Sequence, residues 1–402
     1  MVTRKSNAQI FLLTEFPWSL TVAWMSSYLT IFLVGEHLSA RAIGLALGIG
    51  NVVQVFGLAY AGGLARHIGR KSSIMAGDFG GWVIVLGIWA FVRNPLVLAL
   101  GLVLNQGSGF VGPAWNSLFS EGEDPSALPR AFFVLQMLGV TGGLLLPFIA
   151  PWVRERGVVI TGRWILRILW PLVTLSWVAR WLWLQESEAG RHAIGAKTSR
   201  TVVIQHLRDG LRGVGSILAL VRILVQVPLL LFANLAPLAL VSAHGAALPA
   251  SLLAWLPIPA TGALGILWWM RHRRFHLSRV QGIALSLAVL AAGFLLLAVA
   301  GHGKVWLVFM AWAFIAAGQS EFWSSHTSYW MTWLGDTVRV DVQGWIGVIT
   351  AGLVAALSPL VAPLLAHDPQ PILLLFAGAL VVSFIIWSLT TFLSRGIDRD
   401  VA

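Results

Sequence analysis

Residues 185–212 read QESEAGRHAIGAKTSRTVVIQHLRDGLR and form the only long polar interval in a chain of 402 residues. Six apolar stretches of about twenty residues lie on each side of it, and a bilayer core about 30 Å thick needs about 20 residues of helix to cross it. In lipid a helix satisfies its own backbone hydrogen bonds. The pattern therefore predicts an all-α membrane protein with twelve transmembrane helices in two pseudo-symmetric six-helix halves, residues 1–184 and 214–402, joined by a linker over 185–213.

Spans are expected at 11–34, 42–63, 73–92, 96–118, 131–152, 164–184, 223–243, 249–270, 280–299, 305–328, 342–365 and 371–394. The first run is long and is followed by eleven more, so it reads as a span rather than a cleaved leader. With 57% hydrophobic and 11% charged residues, the spans and short connections account for nearly the whole chain. No soluble catalytic domain fits in the remainder, so no enzyme activity, cofactor or metal is expected.

A formal charge of +11 would suggest nucleic acid if the basic residues were clustered. Instead they sort by side. Alternate loops hold Arg66, Arg70, Lys71, Arg130, Arg191, Lys197, Arg271, Arg273, Arg274 and Arg339, while the opposite loops hold few, among them Arg41, Arg93 and Lys304. This positive-inside asymmetry places both termini in the cytoplasm and removes the nucleic-acid reading. A multi-pass plasma-membrane protein is expected, and the excess of arginine over lysine suggests a bacterial inner membrane. Many of the 21 tryptophans fall near proposed interfaces, and the absence of cysteine excludes disulfides and thiolate metal sites.

The halves carry a trace of repetition. At an offset of 209 residues, Arg130 matches Arg339, Thr141 matches Thr350, Gly143 matches Gly352 and Leu144 matches Leu353, which lays the fifth span over the eleventh.

Between spans two and three, Gly62-Gly63-Leu64-Ala65-Arg66-His67-Ile68-Gly69-Arg70-Lys71 resembles the loop signature Gly-x-Leu-Ala-Asp-Arg-x-Gly-Arg-Lys of the major facilitator superfamily. Gln106-Gly107-Ser108-Gly109 and Gly112-Pro113-Ala114 in span four are similar to that family as well. The resemblance implies a secondary transporter that works by alternating access, with spans one, four, seven and ten lining a central cavity. Three positions depart from it. Arg66 replaces the acidic loop residue, Val103 stands where many proton-coupled members carry arginine, and the Gly-Pro-x-x-Gly-Gly pattern of exporters in span five is reduced to Leu146-Pro147-Phe148-Ile149-Ala150-Pro151.

Carboxylates in a membrane cost about 2.5 to 3.5 kcal/mol each on insertion scales, so they face a cavity or a partner. Glu15 and Glu321 are the candidate proton or cation sites. Polar stripes at helical spacing put Ser19 and Ser26 with Glu15 in span one, Asn105 and Ser108 together in span four, and Ser325 with Glu321 in span ten. Trp24, Tyr28, Gln106, Asn234, Gln319 and Phe322 complete the expected cavity lining. With no lysine or arginine seen near the middle of a span, the cavity is expected to favour cations. Asp78 is expected to pair with Arg70 or Lys71, and a histidine in the solvated layer is the simplest reading of His326.

In the resembled family the acidic residue at position 66 acts across the half-to-half interface near the start of span eleven. The sign is reversed in this chain. Arg66 is therefore expected to pair with Asp341 or Asp336, within a cytoplasmic gate of Gly62, Arg66, Gly69, Arg70, Lys71, Asp78 and Asp341.

The segment GRHAIGAKT at 190–198 is one residue off a phosphate-binding loop, but Ala196 interrupts the Gly-Lys step and no strand precedes it. The function expected is proton-coupled export of a small cationic or neutral amphiphilic compound by a monomer in the bilayer. Coupled uptake or facilitated diffusion of a neutral solute such as a sugar is the alternative. A membrane-embedded enzyme or non-transporting receptor is more remote, because no convergent catalytic set is visible. The partners implied are a small-molecule substrate, the lipid bilayer, and protons or another coupling ion.

Overall fold

The computed structural model describes residues 6–195, 200–244, 248–300, 304–335 and 338–393. Asp336 therefore lies outside the described residues, as does the side chain of Asn234. Among the described residues, eleven helical stretches are long and apolar enough to cross a membrane. One of them, Leu128–Trp183, has 56 residues, more than twice what a single crossing needs. It doubles back at Gly157, whose φ of 79° is a left-handed conformation open to glycine. Thr161 Oγ1 donates to the Trp152 carbonyl at 3.0 Å across that reversal. Counting this stretch as two crossings gives twelve.

The helices are numbered in chain order. The first half contains α1 (Phe16–Gly35), α2 (Ala40–Ile68), α3 (Arg70–Phe91), α4 (Pro95–Ser120), α5 (128–156) and α6 (158–183). The second contains α7 (Val214–His244), α8 (Ala250–Arg274), α9 (Arg279–Val299), α10 (Val305–Trp333), α11 (Arg339–His367) and α12 (Gln370–Leu393). A short helix, Asn7–Thr14, precedes α1, and Glu188–Ala193 and Arg200–Gly210 lie between the halves.

Local chemistry sets several of these limits. Ser39 caps α2, Asn94 caps α4 ahead of Pro95, and Ser278 with Gln281 forms a capping box on α9. Large apolar side chains such as Phe56, Leu100, Phe148, Ile266 and Leu375 stay exposed on the outside of the bundle. Lipid is the solvent that makes such a surface stable.

Chain entry and exit fall at one end, called the inner end. There Asn7 exchanges hydrogen bonds with Gln185, and Trp387 Nε1 donates to the Val280 carbonyl. At the opposite end Arg163 Nε meets Glu36 Oε1 at 2.7 Å, tying α6 to α1.

The halves meet chiefly through α2 against α11, with α1 along α7 and α5 along α8. Glycine permits the closest of these approaches. A Cβ at Gly344 would lie 2.9 Å from the Leu58 carbonyl oxygen, and one at Gly347 would lie 2.9 Å from Leu58 Cδ1. Nearer the outer end, a Cβ at Gly143 would lie 2.6 Å from Pro257 Cβ.

One expected boundary is corrected. Span seven was expected to start at 223, but α7 starts at Val214 and carries Arg222 inside the helix.

Candidate functional site between the two halves

A cavity of about 170 Å³ lies between the halves. Gln54 and Asn116 line it from the first half, and Arg222, Gln226, Trp323 and Gln343 from the second. Asn116 Nδ2 donates to Gln343 Oε1 at 3.1 Å, joining the two walls.

Arg222 is the one charged residue in this lining, and it is 7% exposed. At 1.5 Å per residue it stands about 12 Å into α7. Its guanidinium carbon lies 4.7 Å from the centre of the Trp323 ring and 5.0 Å from that of Trp330. Nε donates to Gln226 Oε1 at 3.3 Å, one turn further along α7. Nη1 is buried and finds no acceptor among the described residues. Trp323 opens a wide π-helical turn, Trp323–Thr327, that also carries His326. His326 is fully buried, and its Nε2 donates to the Leu218 carbonyl at 2.9 Å, so it is not the solvated histidine expected.

Sequence reasoning missed Arg222 because the span was cut at the first charge. The signal was present, since Ile217, Leu218 and Val221 continue the apolar run back to Val214 and residue 222 alone breaks it. The premise of the expected cation preference, that no lysine or arginine lies well inside a span, is corrected accordingly.

A second cavity of about 160 Å³ lies among α1, α2, α3 at Trp82, α4 and α7 at Ala233, with Ser26, Thr30 and Gln106 in its lining. Ser26 and Gln106 are thus the expected lining residues that the structure places on a cavity.

The others are turned elsewhere. Ser19 is buried against Gly142 of α5, and Trp24 packs edge-on to Phe32 beside Gly162 of α6. Tyr28 is fully buried. Asn105 Nδ2 donates to the Gly81 carbonyl, and Ser108 Oγ to the carbonyl of Asn105. Phe322 stacks on His326, and Ser325 Oγ donates to Glu321 Oε1 at 2.5 Å. Gln319 is half-buried and lines neither cavity. A polar stripe on a membrane helix is satisfied as readily by a neighbouring helix as by a water-filled cavity, which is why helical spacing misplaced these residues.

The embedded carboxylates have arginine partners. Glu321 is fully buried and paired with Arg271, itself 2% exposed. Glu15 Oε2 accepts from Arg180 Nη2 at 2.5 Å, and Arg180 Nη1 lies 3.6 Å from Asp78 Oδ2. Arg180 also donates from Nε to Thr14 Oγ1 and lies over the rings of Phe11 and Trp18. It is 2% exposed, a buried hub within the first half. Asp78 therefore pairs with Arg180, not with Arg70 or Lys71. Arg70 pairs instead with Glu121.

At the inner end, Arg66 Nη1 donates to both carboxylate oxygens of Asp341, at 3.1 and 2.9 Å. His206, from the helix Arg200–Gly210, bonds Asp341 Oδ2 through Nδ1 at 2.8 Å. Gly62 sits against Asp341 Oδ1, where any side chain would collide. Gly69, at φ 89°, makes the tight turn between α2 and α3. Glu186 packs against Gly69 and accepts from the Lys71 backbone N–H at 2.9 Å. Of the residues expected to form a gate, Gly62, Arg66, Gly69, Lys71 and Asp341 thus gather at one end, with Asp341 two positions before the cavity residue Gln343, while Asp78 lies instead on Arg180.

No family model matches the chain, and no curated protein does. Solved structures do. A variant of the nucleoside transporter NupG is similar with a TM-score of 0.66 and 15% identity, covering 95% of this chain and 98% of that one. The human organic anion transporter MFSD10 gives 0.65 and 14%, covering 94% and 97%. FucP, a major facilitator superfamily transporter in an outward conformation, gives 0.62 and 16%, covering 95% and 99%. The chain has the major facilitator fold.

Proposed function

We propose that this chain is a secondary transporter that moves a small molecule by alternating access, its two six-helix halves rocking about the cavity between them. The observation that carries the reading is the cavity's position. It is walled by both halves, and the cross-half contact of Arg66, Asp341 and His206 stands between it and the inner end. Separation of α2 from α11 at that end would break this contact and open a path inward. The inner end is assigned to the cytoplasm on the positive-inside charge distribution.

Export of a cation in exchange for protons depended on Glu15 and Glu321 facing the cavity without partners. Both are held by arginine inside one half, so the proposal keeps the transporter and drops the cation preference.

The natural absence of cysteine makes the test direct. A single Gln54→Cys variant places one thiol in the cavity wall. In right-side-out and inverted vesicles, an impermeant maleimide should label it from both sides, at rates that shift when the inner contact is broken. Labelling from one side only, unchanged by any substitution at the inner end, would contradict alternating access.

A further inference from the structure

We infer that the cavity between the halves is an anion site, built around Arg222, for a small organic acid carrying one carboxylate. This rests on the transporter reading and gives it a substrate class.

A buried charge without a counter-ion is strongly unfavourable, and proteins normally pair it or leave it in water. Arg222 has neither remedy among the described residues. It is 7% exposed, no carboxylate pairs with it, and Nη1 has no acceptor. Every other lining residue is uncharged, so the cavity carries a single positive charge. The nearest carboxylate along α11 is Asp341, and Arg66 and His206 already occupy it. Elsewhere in the membrane this chain does pair its arginines, as with Arg180 on Glu15 and Arg271 on Glu321. Arg222, which has no such pair among the described residues, faces a cavity.

The surroundings are those of an oxyanion site. Gln54, Asn116 and Gln343 bring side-chain amides to the same lining, each amide nitrogen carrying two N–H groups of which Asn116 spends one on Gln343 Oε1 and Gln343 one on Met331 Sδ, and the guanidinium fork can hold a carboxylate through two N–H groups. The Trp323 and Trp330 rings lie against the guanidinium and favour its charge through cation–π attraction. Leu58 and Leu230 add an apolar wall for the rest of the molecule.

Charge and volume narrow the class. One guanidinium neutralises a monoanion, whereas a phosphate dianion would leave an uncompensated charge in a low-dielectric site. The cavity of about 170 Å³ resembles in size the cavity of about 150 Å³ that accepts benzene in an engineered protein, so an aromatic or short aliphatic acid fits.

The test is equilibrium binding to the purified full-length chain in detergent, by calorimetry and by the shift in Tm. The probes are benzoate, its neutral isostere benzamide, phenylphosphonate and chloride. Benzoate should bind and raise Tm, with the other three at least ten-fold weaker. Gln226→Glu places a carboxylate one turn from Arg222 and supplies the missing counter-ion. It should leave Tm of the unliganded protein unchanged or higher and weaken benzoate at least ten-fold. Arg222→Lys should retain weak benzoate binding, and Arg222→Gln none.

Equal binding of benzamide, tighter phenylphosphonate, chloride equal to benzoate, or full benzoate affinity in folded Gln226→Glu would each overturn the inference. So would failure of benzoate to bind at all. Because binding is read without any movement across a membrane, it can succeed while the two-sided labelling of Gln54→Cys fails, and the reverse. The two readings therefore fall separately.

Discussion

Arg66 and Asp341, 275 positions apart and on opposite halves, form an ion pair in which one guanidinium nitrogen reaches both carboxylate oxygens. Their side chains are 16% and 4% exposed, so the pair is only partly screened by solvent. Arg66→Asp and Asp341→Arg should each speed labelling of Gln54→Cys from the inner side. The double exchange should restore the slow rate in part, with a coupling of roughly 0.5 to 3 kcal/mol. Restoration is incomplete because His206 also bonds Asp341 and would then face a guanidinium in place of the carboxylate it bonds. Strictly additive effects would show that the two residues do not act together.

Gly344 lets α11 close on α2. Gly344→Ala puts a methyl group 2.9 Å from the Leu58 carbonyl oxygen, which cannot move without its helix. The closed inner contact should lose about 1 to 3 kcal/mol. Faster inner-side labelling of Gln54→Cys, with little change in Tm, is the expected result. Gly63, beside which a Cβ meets nothing within 4 Å, provides the control, and Gly63→Ala should leave the rate unchanged.

Glu321 and Arg271 are expected to hold the second half together. Removing one partner of a buried pair costs about 3 to 5 kcal/mol, while replacing both by apolar residues is often neutral. Glu321→Gln should therefore lower Tm markedly, and Glu321→Met with Arg271→Met should recover most of the loss. If Glu321→Gln left Tm intact and instead abolished proton-coupled movement of a substrate, the residue would be a proton carrier.

Arg180 serves two carboxylates at unequal distances, Glu15 at 2.5 Å and Asp78 at 3.6 Å. The asymmetry predicts that Asp78→Asn is nearly neutral, within about 1 kcal/mol, since it removes the weaker partner of a cation already satisfied. Glu15→Gln should cost more, roughly 2 to 3 kcal/mol, and Arg180→Gln more again because two carboxylates are then left buried. Thermal unfolding of the three variants gives the order. A larger loss from Asp78→Asn than from Glu15→Gln would contradict it.

The fold was legible because each crossing is an apolar run matched to bilayer thickness, and the polar interval at 185–212 separates two equal sets. The pair Arg66 and Asp341 was within reach because the sign reversal at 66 pointed to a partner near the start of α11. Arg222 was not, because a span boundary drawn at a charge discards the embedded charge that matters. Arg271 was assigned to a loop for a similar reason, and the pairing of Arg180 was not foreseen. Their partners lie 50 and 165 positions away, a contact that helical periodicity does not register. Asn105 and Ser108 had the right face for a cavity but met α3 first.

Alternating access is the central claim, and a distance across the inner end tests it most directly. Spin labels at His67→Cys on α2 and Thr332→Cys on α10 sit at exposed positions on opposite halves. Double electron–electron resonance on the chain in lipid nanodiscs should give two distance populations, with Asp341→Asn moving weight from the shorter to the longer. A single narrow distance, the same in the wild-type background and in Asp341→Asn, would contradict the account.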